Sequence, residues 1–172
     1  MELHLYVGGL LSVIIMIILA KNIRIVRTGK AVVVERLGVY SATWNTGLHF
    51  KVPFIEREVR VVSLAEEILQ IPSEEIITKE DIAVTHHGAT VYWSVVNPQL
   101  FTYGTKDPEA ALKDLAATNL RNLIRNTEAE QLVDGGENRL RRTLHENLQQ
   151  KAKRWGIKIR QIDLTLSTAT FP

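Results

Sequence analysis

The chain is predicted to fold as an α+β domain, a mostly antiparallel sheet packed by helices, carried on one amino-terminal transmembrane helix. Three observations predict this. Leu3 to Ala20 is an apolar run without Asp, Glu, Lys or Arg. From Ile23 to Val95 the apolar residues mostly alternate and are broken by Gly and Pro, the pattern of short strands. From Asp107 to Trp155 they recur at three-and-four spacing, and "IKIRQIDLTL" then returns to strand. Strands, then helices, then a strand is an α+β order. With 172 residues and 45% hydrophobic content, the chain is long and apolar enough to bury a core.

The first element is the apolar run. Its eighteen residues would make a helix of roughly 27 Å, just enough for the hydrocarbon core of a bilayer. A cleaved signal peptide would carry a basic start and a small-x-small site, but the chain opens Met1-Glu2 and the run ends Ile-Leu-Ala-Lys-Asn. A buried core helix is the bland alternative, and the run is apolar all round rather than on one side. Residues 1–21 are therefore expected to form a single-pass anchor on Leu10, Leu11, Ile14, Ile15, Ile17, Ile18 and Leu19. Lys21, Arg24 and Arg27, with Lys30, follow it as interfacial cations, so the positive-inside rule puts the main domain on the cytoplasmic side.

Residues 22–168 are expected to form that domain. "IRIVRTGKAVVVERLGVY" reads as two short strands around a Thr28-Gly29 turn. Leu48, Phe50 and Val52 alternate before Pro53 interrupts, and Pro72-Ser73 breaks the strand pattern again. In "DIAVTHHGATVYWSVVNP" the apolar residues sit at 82 and 84, then at 91, 93 and 95. Such a parity change requires a turn or bulge, placed here near Gly88.

The helices follow. Asp107 is the expected N-cap and Pro108 the first helical residue, with Leu112, Leu115, Ala116, Leu120, Leu123 and Ile124 forming the stripe. Thr127 and Glu130 resemble a capping box for another short helix ended by Asp134-Gly135-Gly136. A further helix runs to Trp155 with Leu140, Leu144, Leu148 and Ala152 on one face and Gly156 as its C-cap.

Composition excludes several functions. The 21 Lys and Arg against 19 Asp and Glu leave too little excess charge for a general nucleic-acid binder. The absence of cysteine removes disulfides, thiol catalysis and zinc-thiolate sites. His4, His49, His86, His87 and His145 are scattered, and His86 and His87 point to opposite faces of an extended chain, so no metal site is expected. Ser63, Ser73, Ser94 and Ser167 lack a catalytic motif, so no catalytic or cofactor-binding residues are assigned and the chain is expected not to be an enzyme.

"GKAVVVERLGVY", "GLHFKVPFIEREVRV", "EEIITKEDIAV", "VVNPQLFTYG" and "RWGIKI" stand in the order and spacing of the SPFH or band 7 family, and the chain resembles that family from about Ile23 to about Leu164. The family includes stomatins, prohibitins, flotillins and slipins. "VVNP", "RWGIKI" and the single anchor make the stomatin-like slipin branch the nearest likeness. The resemblance implies a membrane scaffold that self-associates, organises membrane microdomains and modulates nearby membrane proteins. The alternative it leaves open is a regulatory partner of a membrane protease or an NfeD-type membrane protein, without large assembly. Relatives continue into a long charged helix, so residues 169–172 read as a short tail without it.

Two surfaces are candidates for these contacts. Trp44, Phe50 and Phe54 in "ATWNTGLHFKVPF" are candidates to reach the headgroup region, Trp44 first, while alternation favours ordinary core packing of Leu48 and Phe50. Between Arg139 and Arg160 there are eight basic residues and one acidic. Arg139, Arg141 and Arg142 are expected to meet Glu66 and Glu67 of a second copy. The plainer reading gives Lys151, Lys153 and Arg154 to the helix dipole and the paired carboxylates to a solvated face.

Overall fold

The computed structural model describes residues 2–128 and 136–168, with the side chains of residues 2–5, 14, 15, 18–21 and 168 outside that description. The expected single domain resolves into two compact units, Met1–Ser63 and Leu64–Pro172.

The first unit opens with helix α1, Glu2–Lys21. Among the described residues no helix is long and apolar enough to cross a membrane. The expected anchor residues Ile14, Ile15, Ile18 and Leu19, and the cation Lys21, have side chains outside the described set. After Asn22 come β1 (Ile23–Val26), β2 (Lys30–Arg36), β3 (Val39–Trp44), β4 (Gly47–Phe50) and β5 (Glu56–Ser63). The Thr28-Gly29 turn is present, with Gly29 at φ 77°. The strands it joins do not pair with each other: β1 pairs antiparallel with β4, and β2 is the centre of a sheet ordered β3-β2-β5. Ala31 to Val34 are all buried, as a central strand covered on both faces requires. Val26, Val32, Val34 and Trp44 make one core cluster.

The second unit is built on β8, Ala83–Val95, which pairs with β6 (Glu67–Ile71) and β7 (Glu74–Ile77) along one edge and with β9 (Ile157–Thr168) along the other. Every pairing is antiparallel, as expected. The register of β8 on β9 slips between His86 and Ala89, and Gly88 lies at φ 105°. This is the bulge the parity change demanded: Val84 and His86 are buried before it, and Ala89, Val91, Trp93 and Val95 after it.

Helix α2 (Pro98–Tyr103) starts at Asn97, whose side chain accepts from the Leu100 N–H at 3.1 Å. Helix α3 (Pro108–Asn126) starts the same way, with Asp107 accepting from the Ala110 N–H at 3.1 Å. Thr127 is the C-cap of α3, its hydroxyl donating to the Leu123 carbonyl at 2.8 Å, and the expected short helix with Glu130 and Asp134 lies outside the described residues. Helix α4 spans Gly136–Ala152, a 3-10 turn covers Lys153–Trp155, and Gly156 follows at φ 70°. Leu112, Ala116, Leu120 and Ile124 of α3 and Leu140, Leu144, Leu148 and Ala152 of α4 are buried, and α4 packs on α3 and β9. Each fully buried leucine contributes about 1.5–3 kcal/mol.

Candidate functional site

The described side chains of the first unit include an unusual share of uncovered apolar ones. In α1, Tyr6, Val7, Leu10, Leu11, Val13, Met16 and Ile17 are all at least half exposed. At 100° per residue these positions extend around most of the helix, so no packed face accounts for them.

The ribbon that follows also leaves apolar side chains uncovered. Ile23 lies opposite Phe50 and Ile25 opposite Leu48, and with a period of two all four share one face. All four are exposed. The other face carries Arg24 opposite His49 and Val26 opposite Gly47. Arg24 pairs with Glu58 at 3.1 Å, so this expected interfacial cation is already held by a carboxylate, whereas Arg27 is exposed.

Phe54 stands out further, at 97% exposed. Its turn is closed twice, by the Glu56 N–H donating to the Val52 carbonyl at 3.0 Å and by the Val52 N–H donating to the Glu56 carboxylate at 2.9 Å. Arg36 adds a 2.8 Å ion pair. The Val52 amide and the Arg36 guanidinium hold the Glu56 carboxyl below the usual carboxylate range. Phe54 itself has φ 66°, a left-handed conformation that costs a bulky residue about 1–2 kcal/mol. Leu37, 79% exposed, has φ 52°, and its N–H donates to the Ile55 carbonyl at 3.0 Å. Two strained turns joined by a hydrogen bond thus present two large apolar side chains to the outside.

Trp44 does not join them, and this corrects the expectation. It is 9% exposed, packed in the core cluster, and stacked on His49 at 5.1 Å with the rings 5° from parallel. The alternation of β3 turns it inward; adjacency to "GLHFKVPF" had suggested otherwise. Phe50 and Phe54 are on the surface, and Leu48 and Phe50 do not take the core places that plain alternation favoured for them.

In the second unit, Arg121 holds Glu74 through two bonds of 3.0 and 2.9 Å, tying α3 to β7. This pair keeps the Glu74 carboxyl below its ordinary range. His86 is buried opposite Glu74, and its Nδ1 has no partner among the described residues. Burial lowers its pKa, against the attraction of Glu74. His87 turns outward to Ser167 at 2.8 Å. Among the described residues no three potential metal ligands cluster. Arg141 pairs with Glu137 of its own helix at 3.1 Å, and among the described residues no ion pair joins Arg139, Arg141 or Arg142 to Glu66 or Glu67. Glu66 is exposed, and Glu67 opens β6 half-buried.

Comparison with known proteins decides the family. The family described as SPFH domain / Band 7 family matches residues 24–172. The chain belongs to the SPFH/Band 7 family. An uncharacterized protein of Methanothermobacter thermautotrophicus is 33% identical over 156 residues, covering 90% of this chain and 48% of that protein. A stomatin homolog of Pyrococcus horikoshii is 29% identical over 161 residues, covering 94% of this chain and 59% of the homolog. An uncharacterized protein of Mycobacterium tuberculosis is 28% identical, with 91% of this chain and 40% of that protein covered. The SPFH chain thus spans about half the length of the relatives it matches. The α+β order, the bulged antiparallel sheet and the capped helices are the fold of this SPFH domain.

Proposed function

We propose that this SPFH protein is a non-catalytic membrane scaffold: α1 anchors it, the β1–β4 ribbon and Phe54 rest in the headgroup region, and copies associate to organise membrane microdomains or modulate neighbouring membrane proteins. The main domain lies on the cytoplasmic side. The observation that carries this reading is that Tyr6, Leu10, Leu11 and Ile17 of α1, Ile25 and Leu48 of the ribbon, and Phe54 all leave large apolar side chains uncovered in one unit. Many exposed apolar side chains on one folded unit mark an interaction surface, and aliphatic and aromatic groups following a mostly apolar helix suit lipid. The likeness to stomatin homologs supports the membrane setting.

The test is extraction of membranes with alkaline carbonate. The full-length chain is expected to stay with the pellet. Arg at both Leu11 and Ile17, each costing about 2.5–3.5 kcal/mol near a helix centre in lipid, is expected to move most of it to the supernatant. Both positions are exposed, so no packed core is lost. In that background, Phe54→Ser with Leu48→Ser should further reduce flotation with phosphatidylcholine liposomes. Equal extraction of the double-Arg variant and the parent would overturn the anchor; unchanged flotation would overturn the ribbon contact.

A further inference from the structure

The second unit holds a cavity that the membrane reading does not use. Asn138, Arg141, Arg142 and His145 of α4 line it together with Gln161 and Ile162 of β9, around about 450 Å³. Positions i, i+3, i+4 and i+7 lie on one helical face, so the sequence spacing itself gathers these groups. Five of the six lining residues are polar and none is a carboxylate. That set disfavours a metal cation, and a single isoleucine gives an apolar ligand little to bury against.

The hydrogen bonds leave particular donors free. Glu137 takes only the terminal nitrogen of Arg141, and the Nε of Arg141 is buried with no partner. A buried guanidinium N–H without an acceptor is destabilising, and a ligand oxygen that reached it would relieve that cost. Arg142 has no ion-pair partner among the described residues. The ring of His145 is positioned by its Nε2 on the Ile159 carbonyl at 3.3 Å. Gln161 is positioned by donating to Asp163 at 2.7 Å, which also ties that nearby carboxylate to a donor.

We propose that this cavity binds a phosphate group. Two guanidiniums beside side-chain amides match the several oxygens and double charge of a phosphomonoester, and the forked geometry of arginine suits it better than a point charge would. The preponderance of basic residues from Arg139 to Arg160 adds an attractive field. The site is complete within one chain and does not depend on assembly. The phosphate can belong to a soluble metabolite or to a lipid headgroup, and the two sources can be separated.

The experiment is calorimetric titration of the full-length chain in a neutral detergent with inorganic pyrophosphate. Saturable binding is expected, weakened at least tenfold by Arg142→Gln and less than twofold by Arg139→Gln, which removes the same charge outside the cavity. Succinate should bind at least tenfold more weakly than pyrophosphate. No saturable binding, equal loss in the two variants, or equal binding of succinate would overturn the proposal. Arg142 is exposed, so its replacement leaves the fold intact. The source is read in nanodiscs holding equal charge as phosphatidic acid or as phosphatidylglycerol. Weaker pyrophosphate binding only with phosphatidic acid supports a lipid phosphomonoester, whereas equal binding in both supports a soluble one.

Discussion

His86 shows how one side chain can record the solution. It occupies the inward line of β8 between Val84 and Ala89, a place for a small apolar residue, and it is 1% exposed. In the unfolded chain its imidazole takes a proton near pH 6.5. In the folded chain burial depresses that pKa, so between the two values the unfolded state binds more protons. Stability is therefore complete above about pH 6.5 and falls as the pH drops below it. Glu74 faces His86 from β7 and attracts the proton, while Arg121 of α3 and the neighbouring His87 oppose it. Thermal unfolding in detergent should show a midpoint lower at pH 5.5 than at pH 7.5, with much of that difference lost in His86→Leu. A midpoint equally pH-dependent in the variant would assign the effect to other groups. The sequence showed His86 and His87 pointing to opposite faces, but not which face was the core, because that depends on how α3 covers β6 and β7.

At the scale of elements, the junction between β8 and α2 is the tightest. A Cβ placed on Gly156 would sit 2.2 Å from the Asn97 carbonyl oxygen, and Gly156 also needs its left-handed φ of 70°. Both Val96 and Asn97 donate their N–H groups to the Gly156 carbonyl, at 2.9 and 3.1 Å. Gly156→Ala thus combines left-handed strain with a backbone clash, and should cost more than the roughly 1–2 kcal/mol of the strain alone. Chemical denaturation would measure it, and a loss under about 1 kcal/mol would mean the junction yields freely. The glycine was legible as a C-cap from its place after Trp155, yet its contact with Asn97 was not, since the two are distant in sequence. Local signals were read well where they were purely local: Asp107-Pro108 marked the start of α3, and the parity change marked the Gly88 bulge. The same cap chemistry stood in Asn97-Pro98, and α2 was missed only because six residues show no periodic stripe. Pairing partners were hidden for a different reason. β1 joins β4 across a separation that no turn signal specifies, so the four-residue apolar face of the ribbon emerges only once the register is known.

For the whole molecule, the decisive quantity is the number of copies. A scaffold should emerge from mild detergent as a discrete assembly of many copies, measurable by native mass spectrometry or light scattering. Charge reversal at Arg139 and Arg142 should shift that mass toward monomer if these residues meet Glu66 and Glu67 of a neighbour, and a mass unchanged by reversal would remove them from the interface. Burial could be inferred for most of α3 and α4 from spacing alone, because a single amphipathic face has one way to hide. Intermolecular faces leave no such periodic trace, and charge runs such as that from Arg139 to Arg160 mark them only coarsely.

The link between α1 and the first unit also has a mechanical meaning. Only Asn22 separates the helix from β1, and its carbonyl accepts from the Lys51 N–H at 2.9 Å, just beyond β4. A sideways pull on α1 along the β1 axis is resisted by the rungs of the β1–β4 ladder together, as a shear, and not by one rung at a time. In the membrane setting proposed above, tension in the bilayer would thereby be carried into the sheet with little slack, and the ribbon would be the first place where membrane strain becomes protein strain.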